Sequence, residues 1–143
     1  MTQVIIYTDP ADNSLAVCVP TGAQPIESVR SKDIPNGVIS EIVDGSRLPS
    51  DRLFRNAWTW PGVGQAVVED LAKSKVIALD SIKRTALFAS ARAEELEAIF
   101  ETPVHSSANI RQAYQECKGT INSASTIEEL KHCLNNFTTT YSV

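Results

Sequence analysis

Residues 34–60 read IPNGVISEIVDGSRLPSDRLFRNAWTW, and this stretch decides how the chain is divided. Ile34, Pro35, Asn36 and Gly37 spell a tight turn, because proline presets one φ and Asn-Gly tolerates a positive one. Residues 38–43 alternate as a short strand and Asp44-Gly45 ends it. After Pro49, Ser50 and Asp51 offer an N-cap for a short helix through Ala57. Trp58 and Trp60 close the stretch; two residues apart, they share a face on a strand and diverge on a helix.

Working toward the N-terminus, residues 4–7 (VIIY) and 15–19 (LAVCV) are short β-branched runs around an Asp/Asn/Pro-rich loop. They predict a hairpin. Residues 25–30 suit a helical turn with proline in its first turn. A hairpin alone is marginal in water, so the third strand at 38–43 and a covering helix complete the unit. The expectation is a small antiparallel β-rich domain over residues 1–60.

Toward the C-terminus, Pro61, Gly62 and Gly64 interrupt any regular element, which predicts a linker at 61–65. A helical domain is expected over 66–143. Residues 66–100 contain neither Pro nor Gly. Val68, Ala72, Lys75, Leu79, Ile82, Ala86, Ala89, Ala93, Leu96 and Phe100 recur at alternating spacings of four and three, a coiled-coil-like seam broken at Lys75. Such a helix would be roughly 50 Å long, so part of it must pack on other helices of this chain or of another protomer. In the seam, Leu79, Ile82, Leu96 and Phe100 are the expected anchors, and Ala86, Ala89 and Ala93 allow close approach.

Thr102-Pro103 ends the long helix, and Ser106 or Ser107 caps a second one to about Lys118, closed by Gly119. Its inward face is Ile110, Ala113, Tyr114 and Cys117. Thr126 and Glu129 form a capping box for a last helix with Ile127, Leu130, Leu134 and Phe137 inward; residues 138–143 are expected to be loose. The fold class is therefore α+β: a β-rich unit, a long helix and a C-terminal helical hairpin or three-helix bundle.

The formal charge of −4 is spread evenly, five Lys/Arg against seven Asp/Glu in residues 1–64 and eight against ten in 65–143. Without clustered basic residues, nucleic acid is not favoured as a partner. No apolar run approaches the roughly 20 residues that span a bilayer, and the N-terminus lacks a signal-peptide pattern. Cys18, Cys117 and Cys133 are odd in number and widely spaced, which predicts reduced thiols rather than a disulfide framework.

Four segments carry a resemblance: VIIYTDP at 4–10, the 34–60 block, VVEDLAKSKVIALDSIKRTAL at 67–87 and INSASTIEEL at 121–130. Together they resemble a broad family of small phage- and prophage-encoded proteins. LPSDRLFRNAW at 48–58 is the specific part. The resemblance implies a gene among virion structural or tail genes, a product found in the virion or in the host cytoplasm during assembly, and no catalytic residues to carry over. This chain is less basic around Ile82, Lys83 and Arg84 than the family's helices, which further weakens a nucleic-acid role.

Trp58, Trp60, Phe54, Arg52 and Arg55 are the candidate partner-binding residues, because tryptophan and arginine are enriched at binding hot spots. The competing reading puts the tryptophans in a core, and lets the arginines pair with Asp44 and Asp51 to fix turns. Leu79, Ile82, Ala86, Ala89, Ala93, Leu96 and Phe100 are the candidate helical interface.

No nucleophile–base motif, phosphate loop or four-ligand metal pattern is present, so no catalytic residue, metal or cofactor is expected. The expectation is a non-enzymatic phage virion or assembly protein whose partners are other phage structural proteins or further copies of itself. The rival is a phage-encoded inhibitor of a host defence protein or its nucleotide signal.

Overall fold

The computed structural model describes residues 2–142, and its chain forms two compact units that divide between Asp70 and Leu71. The first unit holds a three-stranded antiparallel sheet in the order β2-β1-β3. Its strands are β1 (Gln3–Thr8), β2 (Leu15–Cys18) and β3 (Ser40–Asp44). Helix α1 (Ile26–Asp33) lies between β2 and β3 in the chain. Asp9 and Asp12 turn the β1–β2 hairpin: the Asp9 carboxylate accepts the Ala11 N–H at 2.9 Å, and Asp12 accepts the Ser14 N–H at 3.0 Å. The α+β expectation holds.

Val4 and Ile6 face one side of the central strand, opposite Val43 and Val17 on its neighbours. With Leu15, Trp58 and Trp60 they make one buried apolar cluster, flanked by Leu48 and Val67. Ile5, opposite Ile42 and Cys18, is buried on the other side. Arg30 of α1 ties that helix to β3 by donating from Nε to the Ser40 hydroxyl at 2.8 Å and from the guanidinium to the Ser40 carbonyl at 2.6 Å. The turn at Gly37 (φ +80°) closes with the Val38 N–H on the Pro35 carbonyl.

Two expectations for this unit are corrected. No α-helix runs from Asp51 to Ala57; the Asp51 carboxylate instead accepts the Leu53 N–H at 2.8 Å, and only a 3₁₀ turn forms at Arg55–Ala57. A local side-chain bond of this kind competes with helix formation. The stretch 61–65 is not a linker either. Gly62 and Gly64 adopt positive φ and fold the chain back, so that β5 (Val68–Glu69) pairs with β4 (Trp58–Thr59). The first unit thus extends through Asp70, whose N–H reaches the Ala57 carbonyl at 2.9 Å, and Val68 belongs to a strand.

The second unit is a three-helix bundle of α2 (Leu71–Ala98), α3 (Ser107–Ser123) and α4 (Ile127–Tyr141). The 28 residues of α2 span about 42 Å and pack against both α3 and α4 of the same chain. Its buried face is Ser74, Ala78, Ile82, Ala86, Ala89 and Ala93, so the alanines and the anchor Ile82 fall where the spacing puts them, whereas the anchors Leu79, Leu96 and Phe100 do not. Leu79 and Leu96 are only half-buried, and Phe100 is fully exposed beyond the helix end. From Ser74 to Ala86 the buried positions recur every four residues rather than alternating four and three, so the face departs from the expected seam before Ile82 and coincides with it from Ile82 to Ala93. Ile110, Cys117 and Ile121 from α3, with Leu130, Leu134 and Phe137 from α4, fill the rest of the core.

Gly119 does not end α3. The helix runs four residues further to bury Ile121, and Ala124 caps it. The capping box of α4 is present: the Thr126 hydroxyl accepts the Glu129 N–H, and the Glu129 carboxylate reaches back to the Ser125 N–H at 2.9 Å. The stretch expected to be loose is helical through Tyr141, because the Phe137 and Tyr141 rings pack together with centroids 4.8 Å apart. Residue 143 lies outside the described residues.

Candidate functional site

The five residues expected to bind a partner from the first unit divide sharply. Trp58 is 2% exposed, and Trp60 and Phe54 are also buried. Trp58 in β4 and Trp60 just beyond it enter the same buried cluster, and that cluster is the core. They are therefore not a docking surface. Neither indole N–H meets an acceptor among the described residues, so what these side chains supply is packed ring area. Arg52 and Arg55 are exposed beside them.

The charged cluster around them works mainly as turn chemistry. The Asp44 carboxylate accepts the Ser46 N–H at 2.8 Å and starts the 3₁₀ turn at Gly45–Arg47. That hydrogen bond, with a further one from the Ser46 side chain, holds the Asp44 carboxyl below the usual aspartate range. Arg47 pairs with Glu41 at 3.5 Å rather than with Asp44, and Glu41 also accepts the Gly64 N–H at 3.1 Å. Glu41 thereby braces the glycine loop against β3.

Exposed apolar side chains occur in both units, Ile39 and Val63 among them in the first, but the most exposed lie in the second. Phe100 is 99% exposed and Val104 95%, with Ile99 in the same connection and Phe88 (73%) and Leu87 on the outer side of α2. A single exposed apolar residue needs no explanation, whereas several on one connection do.

Phe100 is distinguished by its backbone as well. It sits at φ +63°, the left-handed conformation that ends many helices and that glycine ordinarily fills. The hydrogen bonds are those of a Schellman cap: the Phe100 N–H bonds the Glu97 carbonyl at 3.1 Å, and the Glu101 N–H bonds the Leu96 carbonyl at 2.8 Å. A bulky residue in this conformation is a genuine outlier and costs about 1–2 kcal/mol.

The turn beneath the ring is firmly held. Glu97 accepts both the N–H and the hydroxyl of Ser107, each at 2.9 Å, and Ser106 caps α3 by accepting the Asn109 N–H. Arg111 of α3 pairs with Glu94 of α2. The bonds from Ser107, backbone first, and then the Arg111 charge lower the Glu97 carboxyl below its usual value. Glu94, Glu95, Glu97 and Glu101 make the surroundings of Phe100 acidic.

Two hollows flank this end of the bundle. A broad groove of about 640 Å³ between α2 and α4 is lined by Arg84, Phe88, Arg92 and Tyr141 among others. A smaller, mainly apolar one of about 190 Å³ is lined by Ala93, Leu96, Val104, His105, Ile110 and Tyr141. His105 meets Tyr141 ring to ring at 4.9 Å, and His132 Nε2 meets the Asn136 amide at 3.2 Å. Among the described residues no group of three or more His, Cys, Asp or Glu is placed to hold a metal, and no helix is long and apolar enough to cross a membrane.

Of the predicted helical interface, Ile82, Ala86, Ala89 and Ala93 form the intrachain core, Leu79 and Leu96 its margin, and Phe100 alone stands free. The missed features are the turn 99–104 and the meeting of Cys117 with Cys133, whose sulfurs lie 2.9 Å apart. Cys117 is on the expected inward face of α3, so placing Cys133 beside Leu134 on α4 would have suggested the pair. No protein-family model, curated protein or solved structure matches the chain.

Proposed function

We propose that this protein is a non-enzymatic phage virion component or assembly factor that acts by binding other phage proteins, with the α2–α3 connection as its contact surface. The observation that supports binding is Phe100: an aromatic ring held fully in solvent on a hydrogen-bonded turn whose backbone favours glycine. Strain of this kind persists where the surrounding structure enforces it, and such positions concentrate at functional sites. A backbone held in place by hydrogen bonds loses little further freedom on docking, and aromatic side chains are enriched among binding anchors.

The phage setting rests on the resemblance of the four segments, of which residues 48–58 are the specific part. In this fold that segment supplies Trp58 to the core cluster of the first unit and buries Phe54 and Ala57 as well, so the likeness concerns architecture rather than a binding face.

Mass spectrometry of purified phage particles tests the setting, with stoichiometric recovery expected for a component. Recovery only from assembling cells indicates an assembly factor, and recovery from neither refutes the setting. Phe100→Ala tests the surface: the variant is expected to fold and to lose its place among phage proteins. Undiminished incorporation would remove Phe100 from the contact.

A further inference from the structure

Cys117 of α3 and Cys133 of α4 are both free thiols, and their Sγ atoms lie 2.9 Å apart, well inside ordinary sulfur–sulfur contact. A disulfide bond is about 2.05 Å long, so an approach of under about 1 Å separates this pair from a covalent link. The two helices are joined by only three residues, Ala124, Ser125 and Thr126, and the capping bonds at Ser125 and Thr126 hold that connection. Cys117 is buried, whereas Cys133 is half-exposed at a groove of about 370 Å³ lined by Glu116, His132 and Asn136 as well as by the two thiols.

We propose that Cys117 and Cys133 form a reversible dithiol–disulfide site, oxidised by thiol–disulfide exchange with a low-molecular-weight disulfide such as oxidised glutathione. The inference stands apart from the partner-binding reading, because it uses neither Phe100 nor any phage protein.

The exchange balances in two steps. The more accessible Cys133 thiol releases its proton to water, and its sulfur attacks one sulfur of the small disulfide. That S–S bond breaks, one small thiolate leaves, and Cys133 carries the other half as a mixed disulfide. Cys117 then releases its proton, and its sulfur attacks Cys133 Sγ and expels the second small thiolate. Two protein thiols have together lost two electrons and two protons, and the small disulfide has become two thiols.

Burial, reinforced by the neighbouring Cys133 thiol, pushes the Cys117 thiol up to about 12. The thiolate is the attacking species, so this shift favours the more accessible Cys133 as the first sulfur to attack. The product closes a short loop between adjacent helices and fastens α4 to α3. Constraining the unfolded chain in this way lowers the unfolding constant by on the order of 100-fold.

The test uses full-length protein with Cys18→Ser, which removes the third thiol, equilibrated across ratios of oxidised to reduced glutathione. Alkylation, intact mass and peptide mapping report the thiols. The expected product is a monomer lacking two hydrogens, with the peptides of Cys117 and Cys133 joined, a higher urea midpoint, and full reversal by reduced glutathione. In Cys117→Ser the Cys133 sulfur should instead retain a glutathione adduct. A lasting adduct on Cys133 with Cys117 present, a link between two chains, or two alkylatable thiols in a fully oxidised glutathione pool would each overturn the proposal. Peptide mapping of the unsubstituted protein, treated in the same way, should show the same joined peptides, and their absence there would equally overturn it.

Discussion

Glu97, in the last turn of α2, takes both the backbone N–H and the hydroxyl of Ser107, the first residue of α3, at 2.9 Å each. One carboxylate therefore spans the connection that carries Phe100. Its lowered pKa fixes the sign of a pH effect. The folded protein holds the ionised form more strongly than the unfolded chain, whose value is near 4.5. The contribution is complete above that value and fades as pH falls through the lower folded one. Glu97→Gln should therefore be less stable than the parent at neutral pH and match it in acid. Urea unfolding across pH measures the gap, and a constant gap would refute the assignment.

Phe100 provides a second prediction. Phe100→Gly relieves the positive φ and sacrifices no burial, so it should stabilise the protein by about 1 kcal/mol. Phe100→Ala keeps a Cβ in the same conformation and should bring little gain. Equal urea midpoints for the two variants would show that the backbone there is relaxed.

Gly119 lies inside α3, and a Cβ added to it meets nothing within 4 Å. Gly119→Ala should raise stability by about 0.5–1 kcal/mol by removing backbone freedom from the unfolded chain. Thermal unfolding followed by circular dichroism decides it; a lower Tm would mean that the added methyl group meets a neighbour after all.

The corrected face of α2 is tested by comparing Ile82→Ala with Leu79→Ala. Ile82 is fully buried and should cost about 2–5 kcal/mol. Leu79 is half-buried and should cost distinctly less. Equal losses would restore Leu79 to the core.

Local chemistry is the readable part. The three strands of the sheet, the cap at Thr126 and the alanines at 86, 89 and 93 all follow from short-range pattern. Misreadings arise where a residue type has two uses. Gly62 and Gly64 mark a break equally well as a linker or as a hairpin loop, and only the pairing of Val68 with Thr59 distinguishes them. Gly119 resembles a stop, but burial of Ile121 outweighs the roughly 1 kcal/mol that glycine costs a helix. The tryptophans carry the composition of an interface and the burial of a core, a choice made by residues as distant as Val4 and Val43. Phe100 is out of reach of such reasoning because its periodic position implies a buried ring, whereas the helix ends too soon to carry it inward.

The division after Asp70 has a practical consequence for genetic dissection. Because Val68, Glu69 and Asp70 complete the sheet-bearing half through bonds to residues 57–59, a gene fragment stopping at 65 would strip out the pairing strand beside Trp58. A fragment stopping at 70 leaves both halves with their own apolar interiors. Expressing the two pieces separately would let a phenotype be assigned to one half by complementation.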